Sequence, residues 1–466
     1  MASLLVTATI RSSAALCVAT VVTPLFAQTP QTRSYTLEEA VTEALATHPR
    51  LAEARANREA AEALVGEAHT LLWPAAGVSG EINRSTGNTP PGTFFPAQGF
   101  VPISGAPRGK SLDGGSWQTG ISAWATWDVL SLSRQAAAID VALAGRGQAN
   151  AAIDAQRLQT AYQAADAFLV LLEAEEAVRA VAANVQRAQV LVTVTRPLVV
   201  QNLRPGVDEA RAEAELANAQ TQLARAEQTR EVRRAELAEA LGHVGSRVDA
   251  APGPLLGPVD RLSAPKGRDV AAHPEVVEAM AAASRAAEAR RLVDIEYLPR
   301  LDLVAALWMR GSGLYDSPAA GVVPDIANWA AGAVATWSIL DVPAIRARAQ
   351  AAEAHYAASI SRRDEVVLAV SGQVARASAM VDGAMRVAQQ IPAALASARA
   401  AEQQALARYQ SGLAPVVDVA DAQRVLAQAE IDDAFARLEV RRALLLLSRA
   451  SGDLGPFLAQ ARPGGG

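Results

Sequence analysis

Residues 408–426 read RYQSGLAPVVDVADAQRVL, and residues 198–216 read LVVQNLRPGVDEARAEAEL. Superposed, Gly412 falls on Asn202, Leu413 on Leu203, Pro415 on Pro205 and Asp418 on Asp208. Glycine and asparagine best adopt the left-handed conformation that ends a helix. Proline suits the first turn of the helix that follows, and an aspartate near that N-terminus complements its dipole. Each stretch therefore reads as a tight turn between two helices, and the chain carries it twice.

The turn belongs to a longer repeat. HPRLAEARANREAAEAL (48–64) resembles HPEVVEAMAAASRAAEA (273–289), and each copy runs on to a proline, Pro74 and Pro299. SAWATWDVL (122–130) resembles GAVATWSIL (332–340), and the copies close at Gly242 and Gly452. The expected plan is a leader over 1–27, a first repeat over 28–242, a Pro/Gly-rich linker over 243–267, a second repeat over 268–452 and a flexible tail over 453–466. Each repeat predicts a helix of modest length (49–72, 274–297) and a β segment. A very long helix (129–198, 341–410), the turn (199–208, 410–418) and another long helix (207–241, 416–451) then follow. Helices of this length need side-by-side partners, as in coiled coils or bundles. Pro392 predicts a kink in one of them.

The composition fits long helices. Hydrophobic residues make up 50% of the chain but aromatics only 4%, so alanine fills the contact positions. A net charge of −5 without any basic tract argues against nucleic acid as a partner. The N-terminus, MASLLVTATIRSSAALCVATVVTPLFAQTP, reads as an export signal: Arg11, a short apolar run from Ala14 to Val22, and a cleavage site near Leu25-Phe26-Ala27. Cys17 lies inside it, and Leu16 is too large for a typical lipoprotein processing site. The mature chain then has no thiol chemistry. No later stretch is apolar for long enough to span a membrane as a helix.

All seven tryptophans lie in or beside two β-like regions: Trp73, Trp117, Trp124 and Trp127 in the first, Trp308, Trp329 and Trp337 in the second. Four stretches there, 75–85, 116–127, 301–311 and 327–337, have the length of tilted membrane strands. Tryptophan near strand ends is the pattern of an interfacial aromatic belt in a membrane. The alternative is two soluble hairpins with tryptophan as core. Four strands cannot close a barrel, which needs about eight, and lipid does not tolerate open edges. Membrane insertion therefore requires several chains, and three would supply twelve strands.

This arrangement resembles the TolC-like outer-membrane efflux proteins. YTLEEAVTEALATHPRLAEAR (35–55) is similar to the family's opening helical segment. Tyr409, Gly412, Leu413, Asp418, Asp421 and Ala422 match its second tip motif; Leu203, Asp208 and Ala212 match the first. The resemblance implies a mainly α fold with a membrane β-barrel part: duplicated helical hairpins form a tunnel, and a homotrimer closes a 12-stranded barrel. It implies an exit duct with a periplasmic adaptor on its tip and an inner-membrane transporter beyond. Asp418 and Asp421, three apart on a helix, would ring the periplasmic gate, with Tyr409, Asp208 and Arg204 in its closing contacts. Asn202, Leu203, Gly412 and Leu413 would form the adaptor-docking tip. The family's second-tip arginine is Ala414 here, and Arg204 occupies the equivalent place in the first tip. Arg204 is therefore expected to pair with a carboxylate nearby.

Enzyme chemistry is not expected. His48, His69, His243, His273 and His355 are scattered without metal-site spacing, and there is no phosphate loop or nucleophile motif. His48 and His273 read instead as helix-start residues, and no cofactor is expected. The competing function is a soluble periplasmic coiled-coil scaffold, which would need no detergent.

Overall fold

A computed structural model describes residues 33–85, 116–243, 245–257, 269–312, 322–324 and 326–461. The leader, and the first inter-strand loop with Phe94, Phe95 and Phe100, lie outside the described residues. β1 (Arg33–Tyr35), α1 (Leu37–Thr47) and α2 (Pro49–Thr70) lead to β2 (Ala75–Ser85) and β3 (Ser116–Asp128). α3 (Leu132–Val200), α4 (Gly206–Ala240) and β4 (Val248–Ala250) follow. The second repeat runs α5 (Pro274–Asp294), β5 (Arg300–Ser312), β6 (Ile326–Thr336), α6 (Val342–Gln410), α7 (Val416–Ala450) and α8 (Gly455–Gln460). α3 and α6 each have 69 residues, and α4 and α7 each have 35. At 1.5 Å per residue the longer pair spans about 100 Å. α6 runs through Pro392.

The repeated His-Pro and Gly residues have one structural cause. His48 and His273 are N-caps, and their Nδ1 atoms accept from the N–H groups of Arg50 (3.3 Å) and Glu275 (3.2 Å). Pro49 and Pro274 follow at the first helical position, where a missing N–H costs nothing. Gly242 and Gly452 end α4 and α7 at φ of 75° and 77°. A Cβ at Gly452 would lie 2.9 Å from Pro274 Cδ, and one at Gly242 would lie 3.5 Å from His48 Cα, so the end of each returning hairpin packs on the start of its own repeat's modest helix, α5 or α2.

The main core lies where α1 meets α3, α4 and α7. Leu37, Val41, Phe168, Leu172, Leu237 and Leu438 are all buried there. α1 starts in a capping box: Thr36 N–H donates to Glu39 Oε2 (2.9 Å), and Glu39 N–H donates to Thr36 Oγ1 (3.3 Å). Two segments are more ordered than their composition predicts. In the linker, β4 pairs in parallel with β1, and Arg441 donates to the carbonyls of Pro254 (3.2 Å) and Gly257 (3.0 Å). Burial of Arg441 lowers its pKa to about 10. In the tail, α8 docks through the buried Phe457. Proline and glycine mark the break in a helix; they do not show that side chains elsewhere will hold the freed carbonyls.

The four longer strands form one antiparallel sheet in the order β2-β3-β5-β6. Its register sorts the side chains into two faces. Val78, Ile82, Ile121, Leu303, Leu307, Met309 and Trp329 share one face. That face is uncovered: Val78 is 80% exposed, Leu307 65% and Trp329 75%. Ser79, Ser122, Thr126, Asp128 and Asp302 share the other. Trp73, Trp127 and Trp337 sit at the end of the sheet nearest the helices, and all three are exposed, not core. Trp127 Nε1 donates to the Leu72 carbonyl (3.2 Å). Trp117, half-buried, lies at the opposite end on the apolar face. Trp124 and Trp308 depart from the expected belt. They share the polar face, because alternation sends every second residue there. Trp124 covers Gly77, where a Cβ would stand 2.7 Å from its ring.

Candidate functional site

At the far end of the hairpins, both turns adopt the same backbone. Asn202 (φ 57°) and Gly412 (φ 79°) are left-handed. Leu203 N–H donates to the Leu198 carbonyl (2.9 Å), and Asn202 N–H to Val199 (2.9 Å). In the second turn Leu413 N–H donates to Arg408 (2.8 Å), and Gly412 N–H to Tyr409 (3.0 Å). Both are Schellman caps. Pro205 and Pro415 are extended and stand at the cap itself, one residue before the helical turn the sequence assigns them. Asp208 and Asp418 donate their N–H groups to those prolines' carbonyls (3.0 and 3.2 Å).

The four helix ends enclose a small apolar cluster. Leu191 and Val192 come from α3, Ala212 from α4, Tyr409 from α6, and Val416 and Val419 from α7. Tyr409 is fully buried, and its hydroxyl donates to Thr195 Oγ1 (3.2 Å). Arg204 crosses from the first turn to the second. Its Nη2 donates to the Tyr409 carbonyl (2.7 Å), and its guanidinium lies 4.7 Å from the Tyr409 ring centroid. Within the chain, the partner of Arg204 is therefore a carbonyl at a helix C-terminus and an aromatic face, which favour a cation. The expected carboxylate partner does not occur among the described residues. Ala414, at the place of the family's second-tip arginine, is itself buried at 5% exposure.

The structure brings Arg204 and Tyr409 together and leaves the aspartates apart from them. Asp208 is buried in the first tip; Asp418 and Asp421 are exposed on α7, with Arg424 3.4 Å from Asp421. Asn202, Leu203, Gly412 and Leu413 are exposed, the leucines at 64% and 72%. Two contacts have no sequence signal. Arg196 pairs with Glu209 (2.9 Å) and Glu213 (2.7 Å) across the first hairpin. Arg187 pairs with Glu430 (2.8 Å) and ties α3 to α7. The i,i+4 rule finds partners on one helix, and these lie on two. Among the described residues no group of side chains could hold a metal ion, and no helix is long and apolar enough to cross a membrane.

A duplicated pair of long helical hairpins with a sheet whose apolar face is uncovered defines a class, and the comparisons agree. The family model described as outer membrane efflux protein matches residues 40–243 and 270–453. The chain belongs to that family, whose members are channels, and membership supports an outer-membrane efflux duct. Among solved structures, that of CusC aligns at TM-score 0.74 and 16% identity, covering 90% of this chain and 92% of that one. The open state of the Neisseria gonorrhoeae MtrE channel aligns at 0.72 and 21%, covering 90% and 89%. VceC from Vibrio cholerae aligns at 0.71 and 18%, covering 90% and 96%. At these identities the likeness carries the fold. No curated protein matches the chain.

Proposed function

We propose that three copies of this chain close their four-stranded sheets into one twelve-stranded barrel in the outer membrane. Their long helices continue it into the periplasm as a tunnel. The observation that carries this reading is the sheet itself. Its outward face is apolar, and among the described residues β2 and β6 each keep one edge unpaired within the chain. An open edge in lipid leaves backbone N–H and C=O groups without partners, at several kcal/mol each. Pairing β6 of one copy with β2 of the next removes every edge when the ring closes. A soluble scaffold would have no use for such a face.

The duct serves a tripartite system in this reading. A periplasmic adaptor docks on the exposed tip residues Asn202, Leu203, Gly412 and Leu413, and an inner-membrane transporter delivers the cargo. Asp418 and Asp421 form two carboxylate rings at the closed tip, and Arg204 on Tyr409 holds the two hairpins of each copy together. Purified protein added to planar lipid bilayers tests the reading. Discrete, cation-preferring conductance steps are expected. Protein that stays soluble without detergent and never conducts would overturn it.

A further inference from the structure

The two junctions between strand and helix differ, although the repeats match. Where the second repeat carries Arg300, Asp302, Asp341 and Arg348, the first has Ala75, Gly77, Ser131 and Ala138. A junction therefore folds without these charges. In the first, Trp127 Nε1 is tied to the Leu72 carbonyl (3.2 Å). Its counterpart Trp337 is exposed and makes no such bond among the described residues. At Trp337 an open cavity of about 330 Å³ lies between the ends of β5 and β6 and the first turns of α3 and α6. Arg300, Asp302 and Thr336 line it from the polar face of the sheet, and Trp337, one residue on, from the apolar side. Ile339 and Leu340 carry apolar surface past the end of β6, and Leu340 is 93% exposed.

The charges lining this cavity are only partly paired. Arg348 is bound to Glu296 (2.8 Å). Arg134 donates to the Leu298 carbonyl (3.5 Å), and its Nε is enclosed without a partner. Among the described residues Arg134 and Arg300 have no ion pair, and neither have Asp302 and Asp341. Burial, and then the charge of Arg300, lower the pKa of Arg134 against the pull of Asp128 and Glu296. Two guanidinium groups that repel each other are relieved by an anion between them, and their planar donors fit a phosphate. Asp302 stands directly opposite Asp128 in the strand register, a like-charge pair that a cation relieves. Phosphate alone answers half of this lining; a group that carries both charges answers all of it.

We propose that this cavity binds the headgroup of a zwitterionic phospholipid, with its phosphate between Arg134 and Arg300 and its ammonium at Asp302 and Asp341. The acyl chains then lie on Trp337, Ile339 and Leu340. The inference rests on the duct reading, which sets this end of the sheet against outer-membrane lipid at headgroup level. Native mass spectrometry tests it on the full-length protein, delipidated in detergent and given phosphatidylethanolamine, phosphatidylglycerol or diacylglycerol. One phosphatidylethanolamine per chain is expected to stay bound, with phosphatidylglycerol retained several-fold less and diacylglycerol not at all. Arg300→Gln and Asp341→Asn are each expected to reduce retention about tenfold, while Arg362→Gln, on an exposed part of α6, has no effect. Arg300 and Asp341 are exposed, so both variants report on the site without disturbing the core. Phosphatidylglycerol or diacylglycerol retained as firmly as phosphatidylethanolamine, or wild-type retention in both variants, would overturn the site. The same spectra weigh the oligomer, so a trimer without lipid sinks the site alone, whereas a monomer sinks the duct reading and the site with it.

Discussion

The two tips share a backbone and differ in what holds them. In the first, Arg196 is exposed and spans the hairpin to Glu209 and Glu213. The same positions in the second tip, 210 residues on, are Leu406, Val419 and Gln423, and Val419 is fully buried. The aspartates reverse as well: Asp208 is buried and Asp418 exposed. A single turn motif has thus been set into two environments. The first tip faces solvent with its ion pairs, whereas the second puts Tyr409 and Val419 into the cluster and its aspartates outside. Duplication preserved the residues that fix the backbone, Asn or Gly, Leu, Pro and Asp. The flanking residues differ to suit each hairpin's surroundings.

Breaking the link between the tips should have the largest effect. Arg204→Ala removes a charge-assisted hydrogen bond and a cation–π contact, together worth about 2–3 kcal/mol. Single-channel recordings should show a several-fold rise in conductance, and Arg204→Lys should restore little of the closed state because a point charge does not stack as a guanidinium does. Unchanged conductance would mean that the link does not hold the tip. Next, Gly412→Val forces a β-branched residue to φ near +79°, at about 2 kcal/mol. Asn202→Gly at the matching position should shift thermal unfolding by less than about 0.5 kcal/mol equivalent. Equal responses would mean that the turns tolerate side chains alike.

The contrast between core and rim gives a third pair. Val419→Ala should cost about 2 kcal/mol through lost burial and a cavity. Arg196→Ala should cost much less, because its ion pairs are exposed, and the difference from wild type should vanish in high salt. Thermal unfolding at low and high ionic strength separates the two. The smallest intended change is Tyr409→Phe, which removes only the bond to Thr195 and should cost about 1 kcal/mol. A larger loss would show that the hydroxyl does more than this one contact.

Local periodicity and turn chemistry are written in nearby residues, so the duplication, the paired long helices, the four strands and both tips were readable in advance. His-Pro and Gly could be paired by spacing alone, although their direct packing could not. The linker and tail were not legible, because Arg441 and the core that receives Phe457 are distant in sequence. Clustering alone places all seven tryptophans together, and only the strand register separates Trp124 and Trp308 from those on the apolar face. At the tip, Arg204 was recognisable as an isolated arginine where Ala414 had lost its own. Its partner was not, because a helix-end carbonyl has no sequence signature, and the carboxylates nearby drew the expectation instead.

A duct forms only if the open edges of the sheet close between copies. The direct measurement is the mass and location of the native complex: separate the membranes, extract the particle in detergent and weigh it. An outer-membrane particle with three times the mass of the mature chain is expected. A monomer or dimer recovered from the periplasm without detergent would contradict it.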